Sequence, residues 1–306
     1  MDTPILIVGS GAMACLFAAK LAAADIPVIL LGTWPEGLRA LDEKGVQLVG
    51  PDGHDRIFRV KVTNDPNECI GFSYALVLVK SWQTGRVAGQ LATCLPENGL
   101  AVTLQNGINN HQKLVDALGS ERVGLGITTT GATLLHPGHV RQVGDGRISL
   151  AVHPRIGPLV EMLRTTGFNV VLLEDTDGLI WGKLIINAAI NPLTALLHVQ
   201  NGELLSRPSA RSLMGNTARE SASVAEGLGI DLPYPDVVVA VEAVAQRTAM
   251  NYSSMLQDVI RGAPTEIDSI NGAIMSIGEA MGVPTPVNRT LWQLVKGMVQ
   301  PLEELS

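Results

Sequence analysis

From Pro4 to about Leu172, short apolar runs rich in β-branched residues alternate with longer stretches of helical periodicity. This alternation is typical of βαβ units, in which helices connect the parallel strands of one sheet. The pattern predicts strands at Ile5–Val8, Val28–Leu31, Tyr74–Val79, Leu100–Leu104, Val123–Thr128 and Asn169–Leu172.

Two further stretches indicate antiparallel pairs. A Pro51-Asp52-Gly53 turn separates two strand-like pieces of residues 46–62, and we expect this hairpin at an edge of the sheet. A second antiparallel excursion is expected around residues 133–151, with one of its turns at Gly144-Asp145-Gly146.

The pattern changes after Asp175, where strand signals nearly vanish and helical periodicity continues to Glu304. We therefore predict an α/β protein in two domains, as its length of 306 residues allows. The first, over residues 1–174, has a doubly wound sheet, and the second, over residues 175–306, is all-helical.

One helical segment of the second domain, Trp181–Pro192, carries a polar stripe in an otherwise apolar run. Lys183, Asn187 and Asn191 follow one another at i, i+4 steps, so they share one face of the helix. Apolar residues on the other sides predict a buried helix, and burial lowers the pKa of a lysine. In the alternative interpretation, Lys183 extends to the surface and the asparagines bond neighbouring backbone groups. We also expect Pro192 to kink or end the helix.

A glycine-rich turn follows the first predicted strand and precedes an apolar helix, with the form G-x-G-x-x-A. In this position the first glycine permits the tight turn, the second lets backbone N–H groups approach a pyrophosphate, and the alanine allows close packing. The turn predicts a dinucleotide site formed by Gly9, Ser10, Gly11, Ala12, Met13 and Ala14. The alternative is a turn that serves only sheet geometry.

The choice between NAD and NADP depends on the end of the second predicted strand. No Asp or Glu that would bind an adenine-ribose diol occurs at Gly32-Thr33-Trp34, which favours NADP. Arg39 can pair with a 2′-phosphate and Trp34 can cover an adenine, or both can be ordinary surface residues.

Composition excludes several other classes of function. A net charge of -7 argues against a nucleic-acid partner. Three widely spaced cysteines indicate neither a disulfide framework nor a zinc site, which fits the cytoplasm. We expect no membrane-spanning helix, because no apolar run approaches the ~18 residues that one needs. His136 and His139 have no further ligand nearby, so no metal site is expected.

Polar residues also follow the predicted strands, where open α/β sheets bind ligands. Lys80 follows one strand and Asn106 the next. In the helical half, Asn251–Asp258 is interpreted as a loop or helix start, and Thr265 is expected to cap a helix opened by Glu266.

With these residues the chain resembles the ketopantoate reductase (2-dehydropantoate 2-reductase) family along its whole length. The matching segments are the GSGAMA turn, Val79–Thr84, Gln105–Gly107, Gly126 with Thr128–Thr130, WGKLIINAAINPLTAL, and NYSSMLQD followed by TEIDSING. The resemblance implies a Rossmann-like NADPH domain, a helical substrate domain, and reduction of the 2-oxo acid 2-dehydropantoate to (R)-pantoate during pantothenate synthesis.

The resemblance also implies roles for individual residues. Lys183 would be the proton donor, and Glu266 the second essential polar group, which orients the lysine or binds the substrate. The implied substrate residues are Asn106, Lys183, Asn187, Asn191, Asn201 and Ser254. The implied cofactor residues are the glycine turn with Lys80, Asn106, Ala132 and Glu266.

Two alternatives remain at this point. The first is a related NAD(P)-dependent enzyme that acts on another 2-oxo acid. The second is a nucleotide-sensing protein without activity, although a sensor requires neither Lys183 nor Glu266. A homodimer is a further expectation, although no feature of the sequence indicates it.

Overall fold

A computed structural model of the protein describes residues 4–144 and 146–299. The chain divides into two compact units. The N-terminal unit comprises the residues up to Gln105 together with Asn110–Thr176. The helical unit comprises Asn106–Asn109 together with the residues from Asp177 onward. The predicted α/β fold class is confirmed, with a largely parallel sheet in the first unit and helices in the second.

The N-terminal unit contains all the strands found in the described residues. They are β1 (Ile5–Val8), β2 (Val28–Leu31), β3 (Val46–Val49), β4 (Asp55–Phe58), β5 (Lys61–Thr63), β6 (Tyr74–Val77), β7 (Leu100–Thr103), β8 (Val123–Thr128), β9 (Gly131–His136), β10 (His139–Val143), β11 (Arg147–Ala151) and β12 (Asn169–Leu173). Its helices are α1 (Ala12–Ala23), α2 (Pro35–Lys44), α3 (Thr84–Cys94), α4 (Asn110–Leu118) and α5 (Gly157–Thr165).

The main sheet has the strand order β12-β11-β8-β7-β6-β1-β2-β5. Its central strands are parallel, and β11 is antiparallel to β8. Both β1 and β7 are buried along their whole length, as expected for apolar runs covered on both faces. The chain winds outward from β1 in both directions, so the carboxyl ends of β1 and β6 form the switch point where such sheets bind ligands.

The expected hairpin is present as β3 and β4, but its expected place at an edge of the main sheet is wrong. It belongs to a separate sheet with the order β4-β3-β10-β9. The reason is α1, which is apolar apart from Lys20 and is covered by β1 and β2 on one side and by β3, β9 and β10 on another. The second antiparallel excursion supplies β9 and β10, while Asp145 of its predicted turn lies outside the described residues.

The helical unit is built around its first helix. Its helices are α6 (Asp177–Leu197), α7 (Glu203–Ser206), α8 (Pro208–Gly227), α9 (Val237–Arg247), α10 (Ser254–Ile260), α11 (Asn271–Met281) and α12 (Pro286–Val299). The helices α8, α9, α10 and α12 all pack against α6. The expectation that the helix ends at Pro192 is wrong, because α6 continues to Leu197.

The same helix overturns the expectation about membrane-spanning length. By length and composition, α6 is long and apolar enough to cross a membrane. However, 67% of its apolar window is buried inside the protein. A buried apolar helix at the centre of a helical unit is typical of a globular core, so length and hydropathy alone do not indicate a membrane span.

Candidate active site

The glycine turn connects β1 to α1 with a backbone that requires glycine at its first position. Gly9 has φ +133°, and a Cβ on it would lie 3.1 Å from the Leu78 carbonyl oxygen and 3.4 Å from Ala14 Cβ. Gly11 has φ −85°, and a Cβ there would meet no atom within 4 Å. Space is therefore open at Gly11, on the side where a ligand would approach the backbone.

The N-terminus of α1 fits a phosphate group. No side chain caps Gly11, and the first turn of the helix contains no acidic residue. The first i, i+4 hydrogen bond of the helix is donated by Cys15 N to Gly11 O at 2.9 Å. The N–H groups of Ala12, Met13 and Ala14 lie before this bond, in the first turn, where a helix provides no carbonyl partner for them. Unpaired N–H groups and the helix dipole together favour an anion at this point.

Lys80 lies three residues beyond the end of β6, the strand that pairs with β1. It follows Leu78, whose backbone N–H bonds Val8 O at 2.9 Å, and its side chain is half-buried. A buried hydrogen-bond network fixes the adjacent loop, because Gln105 Nε2 donates to Val79 O at 3.0 Å and to Thr84 Oγ1 at 2.9 Å. The backbone that leads to Lys80 therefore runs beside the glycine turn, since a Cβ on Gly9 would lie 3.1 Å from the Leu78 carbonyl oxygen.

Other residues considered for the cofactor lie elsewhere in the N-terminal unit. Ala132 is in β9 of the smaller sheet, opposite Gln142 of β10. Arg39 is exposed on α2. Trp34 precedes α2 and lays its ring against Gly37 of the same helix, where a Cβ would collide with the ring. Cys15 packs in the core, where burial raises the pKa of its thiol to about 12, as expected for a packing residue.

In the helical unit, α6 presents the predicted polar stripe. Lys183 and Asn187 are half-buried and Asn191 is buried. Burial lowers the pKa of Lys183 to about 8, and the Glu266 carboxylate acts in the opposite direction and raises it. Tyr234 crowds the same turn, donating a hydrogen bond from Oη to Gly182 O at 3.2 Å. The sequence-based expectation of a lysine with a lowered pKa therefore agrees with this environment.

Glu266 is 6% exposed and lies in a turn. The expectation of a helix opened by Glu266 and capped by Thr265 is wrong, because the next helix begins at Asn271. The Glu266 carbonyl oxygen accepts bonds from Ser269 N at 3.1 Å, Ser269 Oγ at 3.0 Å and Ile270 N at 3.1 Å. These bonds fix the backbone of the turn that carries the Glu266 carboxylate.

The segment Asn106–Asn109 joins this turn, although its flanking residues belong to the N-terminal unit. Ile108 N donates to Ser269 O at 3.3 Å. Gly107 has φ +80°, and a Cβ on it would lie 2.8 Å from Ser269 Oγ. The Ile108–Ser269 hydrogen bond therefore joins the two segments that carry the predicted site residues Asn106 and Glu266.

Ser254 is the first residue of α10, and its neighbour fixes that helix. Ser253 Oγ accepts the Leu256 N–H at 3.1 Å as the N-cap. Thr194 Oγ1 of α6 donates to the same oxygen at 2.7 Å. Thr194 and Ser253 were missed as site supports by sequence reasoning, because their bond joins residues that are remote in the chain.

Asn201 follows α6 in a buried loop. Its Nδ2 donates to Thr248 Oγ1 at 2.9 Å, and its backbone N–H bonds Asn251 O at 3.0 Å. Its Oδ1 is buried and has no hydrogen-bond partner among the residues that the structure describes. Asn201 therefore keeps a buried acceptor whose hydrogen-bonding capacity is not used by those residues. In the same described residues, no group of three or more His, Cys, Asp or Glu could hold a metal ion.

Family models match most of the chain. The model described as ketopantoate reductase PanE/ApbA matches residues 5–155, and that for the C-terminal part of the same family matches residues 175–299. A 2-dehydropantoate 2-reductase of Halobacterium salinarum is 33% identical over 297 residues, which cover 95% of this chain and 97% of that protein.

Solved structures share the fold over nearly the whole chain. A PanE/ApbA family ketopantoate reductase from Ralstonia eutropha superposes with a TM-score of 0.90 at 31% identity, covering 97% of this chain and 98% of that one. A ternary structure of D-mandelate dehydrogenase with NADH and anilino(oxo)acetate also reaches 0.90, at 26% identity and the same coverage of both chains.

Proposed function

Because this chain belongs to the ketopantoate reductase family, we propose that it reduces 2-dehydropantoate to (R)-pantoate with NADPH, in pantothenate and coenzyme A biosynthesis. The observation that carries the proposal is Lys183, a half-buried amine on the polar face of α6 with its pKa lowered to about 8. Such an amine suits proton donation near neutral pH.

The reaction needs a hydride and a proton. NADPH, when bound, supplies the hydride that adds to the keto carbon and leaves negative charge on the carbonyl oxygen. The Lys183 ammonium stabilises that charge and then donates its proton. With a pKa of about 8, Lys183 is still mostly protonated at pH 7, yet it is a stronger acid than an ordinary lysine. Solvent then returns the proton to the amine.

Glu266 has the role of partner to Lys183. Its carboxylate favours the charged form of the lysine and opposes part of the effect of burial. The turn closed by Ser269 and Ile270 fixes the backbone from which the carboxylate extends. Glu266 thus keeps Lys183 protonated before the hydride arrives, which is the state that the reaction requires.

The remaining polar groups of the helical unit suit the substrate. Asn187 and Asn191 follow Lys183 on the same face and can bind the carboxylate or the hydroxyl group. The free Oδ1 of Asn201 is an acceptor, so it matches a substrate hydroxyl rather than a carboxylate. Ser254, at the first turn of α10, can donate to the carboxylate.

We assign cofactor binding to residues 1–174 and substrate binding to residues 175–306. NADPH is preferred over NADH in this proposal, because β2 is followed by Gly32-Thr33-Trp34 without a carboxylate that would repel a 2′-phosphate. We place the enzyme in the cytoplasm, as a homodimer or monomer without nucleic-acid or membrane partners.

The experiment is an assay of the purified protein by the loss of NADPH absorbance. We expect turnover with 2-dehydropantoate that exceeds turnover with pyruvate and branched 2-oxo acids by about tenfold or more in kcat/KM. Binding of NADPH without turnover of any 2-oxo acid would contradict the proposal and favour a nucleotide sensor.

A second candidate is a reductase for an aryl 2-oxo acid. It is favoured by D-mandelate dehydrogenase, which superposes as well as the ketopantoate reductase does, and which was solved with NADH. The assay with benzoylformate and NADH separates the two candidates. A kcat/KM for that pair above the value for 2-dehydropantoate and NADPH would select the second.

A further inference from the structure

The carbonyl oxygen of Ala188, in the middle of α6, lacks its usual helical partner. Residue 192, four positions along, is a proline inside the helix and has no N–H to donate. Ala188 is fully buried, so water does not reach it. Asn271 takes the place of the missing donor, with its Nδ2 at 3.1 Å from the Ala188 oxygen.

The orientation of the Asn271 amide is fixed by a chain of hydrogen bonds. The Glu220 carboxylate of α8 can only accept, and it takes bonds from Val287 N, Asn288 N and Asn288 Nδ2 at 2.8 to 2.9 Å. Asn288 must therefore turn its Oδ1 to Asn271, whose Nδ2 donates to it at 3.0 Å. The Asn271 amide nitrogen then faces Ala188, and both asparagine side chains are fully buried.

This contact ties together the two segments that carry the proposed catalytic pair. Ala188 lies between Lys183 and Asn191 on α6. Asn271 opens α11 directly after the Glu266 turn, in which Ile270 N bonds Glu266 O at 3.1 Å. The hydrogen bond between Asn271 and Ala188 therefore joins α6 to the segment that directly follows the Glu266 turn.

We propose that Asn271 is a positioning residue for the reduction: it replaces the backbone hydrogen bond that Pro192 removes and so fixes the Glu266 turn against the Lys183 face of α6. The inference rests on the proposed function, because it concerns the same reaction. Because Pro192 has no N–H to donate, it leaves the buried carbonyl of Ala188 available to a side chain from another helix.

The test is a double-mutant cycle of Asn271→Ala and Pro192→Ala, assayed with NADPH and 2-dehydropantoate. We expect Asn271→Ala to lower kcat about 10- to 100-fold, with KM for NADPH within about twofold of the wild type. Pro192→Ala restores an N–H that can bond Ala188 O. The double variant should then recover kcat to within about threefold of Pro192→Ala alone.

Ser221→Ala is the matched control. Ser221 is fully buried and bonds the same Asn288 Oδ1 at 3.4 Å, whereas the side chain that bonds Ala188 O is that of Asn271. We expect it to lower thermal stability and to leave kcat within about twofold of the wild type. The pH at which kcat falls should move in Asn271→Ala and stay in place in Ser221→Ala, because only the first changes the surroundings of Lys183.

Three results would overturn the inference. They are an Asn271→Ala variant with wild-type kcat, a double variant as impaired as Asn271→Ala alone, and a loss of kcat in Ser221→Ala equal to that in Asn271→Ala. If Asn271→Ala does not fold, the double variant is the test. A double variant that folds and turns over substrate supports the inference, and a double variant that does not fold overturns it. Failure of the proposed function is distinguishable, because the wild type itself would then not reduce 2-dehydropantoate.

Discussion

Burial and Glu266 act in opposite directions on Lys183: burial lowers the pKa of the amine, the carboxylate raises it, and the result is a pKa of about 8. Lys183 belongs to α6 and Glu266 to the turn before α11, so packing between helices sets this balance.

Replacement of Lys183 by alanine should abolish most turnover and leave NADPH binding nearly unchanged, because the lysine acts after the cofactor is bound. We expect kcat to fall about 10²- to 10⁴-fold, the usual contribution of a general acid. Steady-state kinetics and fluorescence titration with NADPH measure the two effects. Lys113→Ala removes an exposed lysine from α4 and serves as the control. An equal loss of NADPH affinity in Lys183→Ala would contradict this division of roles.

The pH dependence of kcat/KM follows from the pKa of Lys183. The protonated amine is the active form, so kcat/KM should be constant well below pH 8 and fall as pH rises through about 8. A lysine with the ordinary pKa of 10.5 would place this fall near pH 10.5.

Glu266→Gln should move the same fall to lower pH. The substitution removes the carboxylate that raises the pKa of Lys183, while the effect of burial remains. The pH profiles of both proteins, measured with saturating NADPH, test the sign of the shift. A profile that moves to higher pH, or does not move, would show that the Glu266 carboxylate does not raise the pKa of Lys183.

Gly11→Ala should weaken NADPH binding without destabilising the protein. Gly11 has φ −85° and open space where the Cβ would be, so the folded chain accepts the methyl group. A bound pyrophosphate would occupy that space, and we expect the KM for NADPH to rise about tenfold or more. Gly85→Ala in α3, also with open space, is the control. Unchanged KM in Gly11→Ala would argue against a phosphate at this turn.

Thr194→Val should lower stability and raise the KM for 2-dehydropantoate. It removes the 2.7 Å bond to Ser253, which caps the helix that begins with Ser254, and both side chains are buried. We expect the free energy of unfolding to fall by about 1 to 2 kcal/mol in urea titrations. Thr290→Val, where the hydroxyl bonds Pro286 O on the exposed side of α12, should change it by less than about 0.5 kcal/mol.

The local parts of the structure could be predicted from the sequence. The i, i+4 spacing of Lys183 and Asn187 fixes their shared face once the segment is helical, and the strand before Gly9 fixes the position of the glycine turn. Periodicity and turn chemistry depend only on neighbours in the chain, so they can be read without a structure.

Long-range pairings could not be predicted in the same way. The β3 hairpin joins β10 because α1 requires cover on a second side, and that choice depends on residues far apart in the sequence. The effect of Glu266 on Lys183 depends on helix packing, and where α6 passes Pro192 the Ala188 oxygen is bonded by Asn271, which is remote in the chain. Proline chemistry alone indicates an interruption, and the compensating donor appears only in three dimensions.

Residues Asn106–Asn109 belong to the helical unit, and this affects how the protein can be divided into fragments. The polypeptide changes unit three times, after Gln105, after Asn109 and after Thr176. A single cut near Thr176 would therefore leave the carboxyl-terminal fragment without four residues of its own fold, and the Ser269 backbone without the Ile108 N–H. The amino-terminal fragment would keep its whole unit and those four residues as well, so the helical unit would be complete only when both fragments are present.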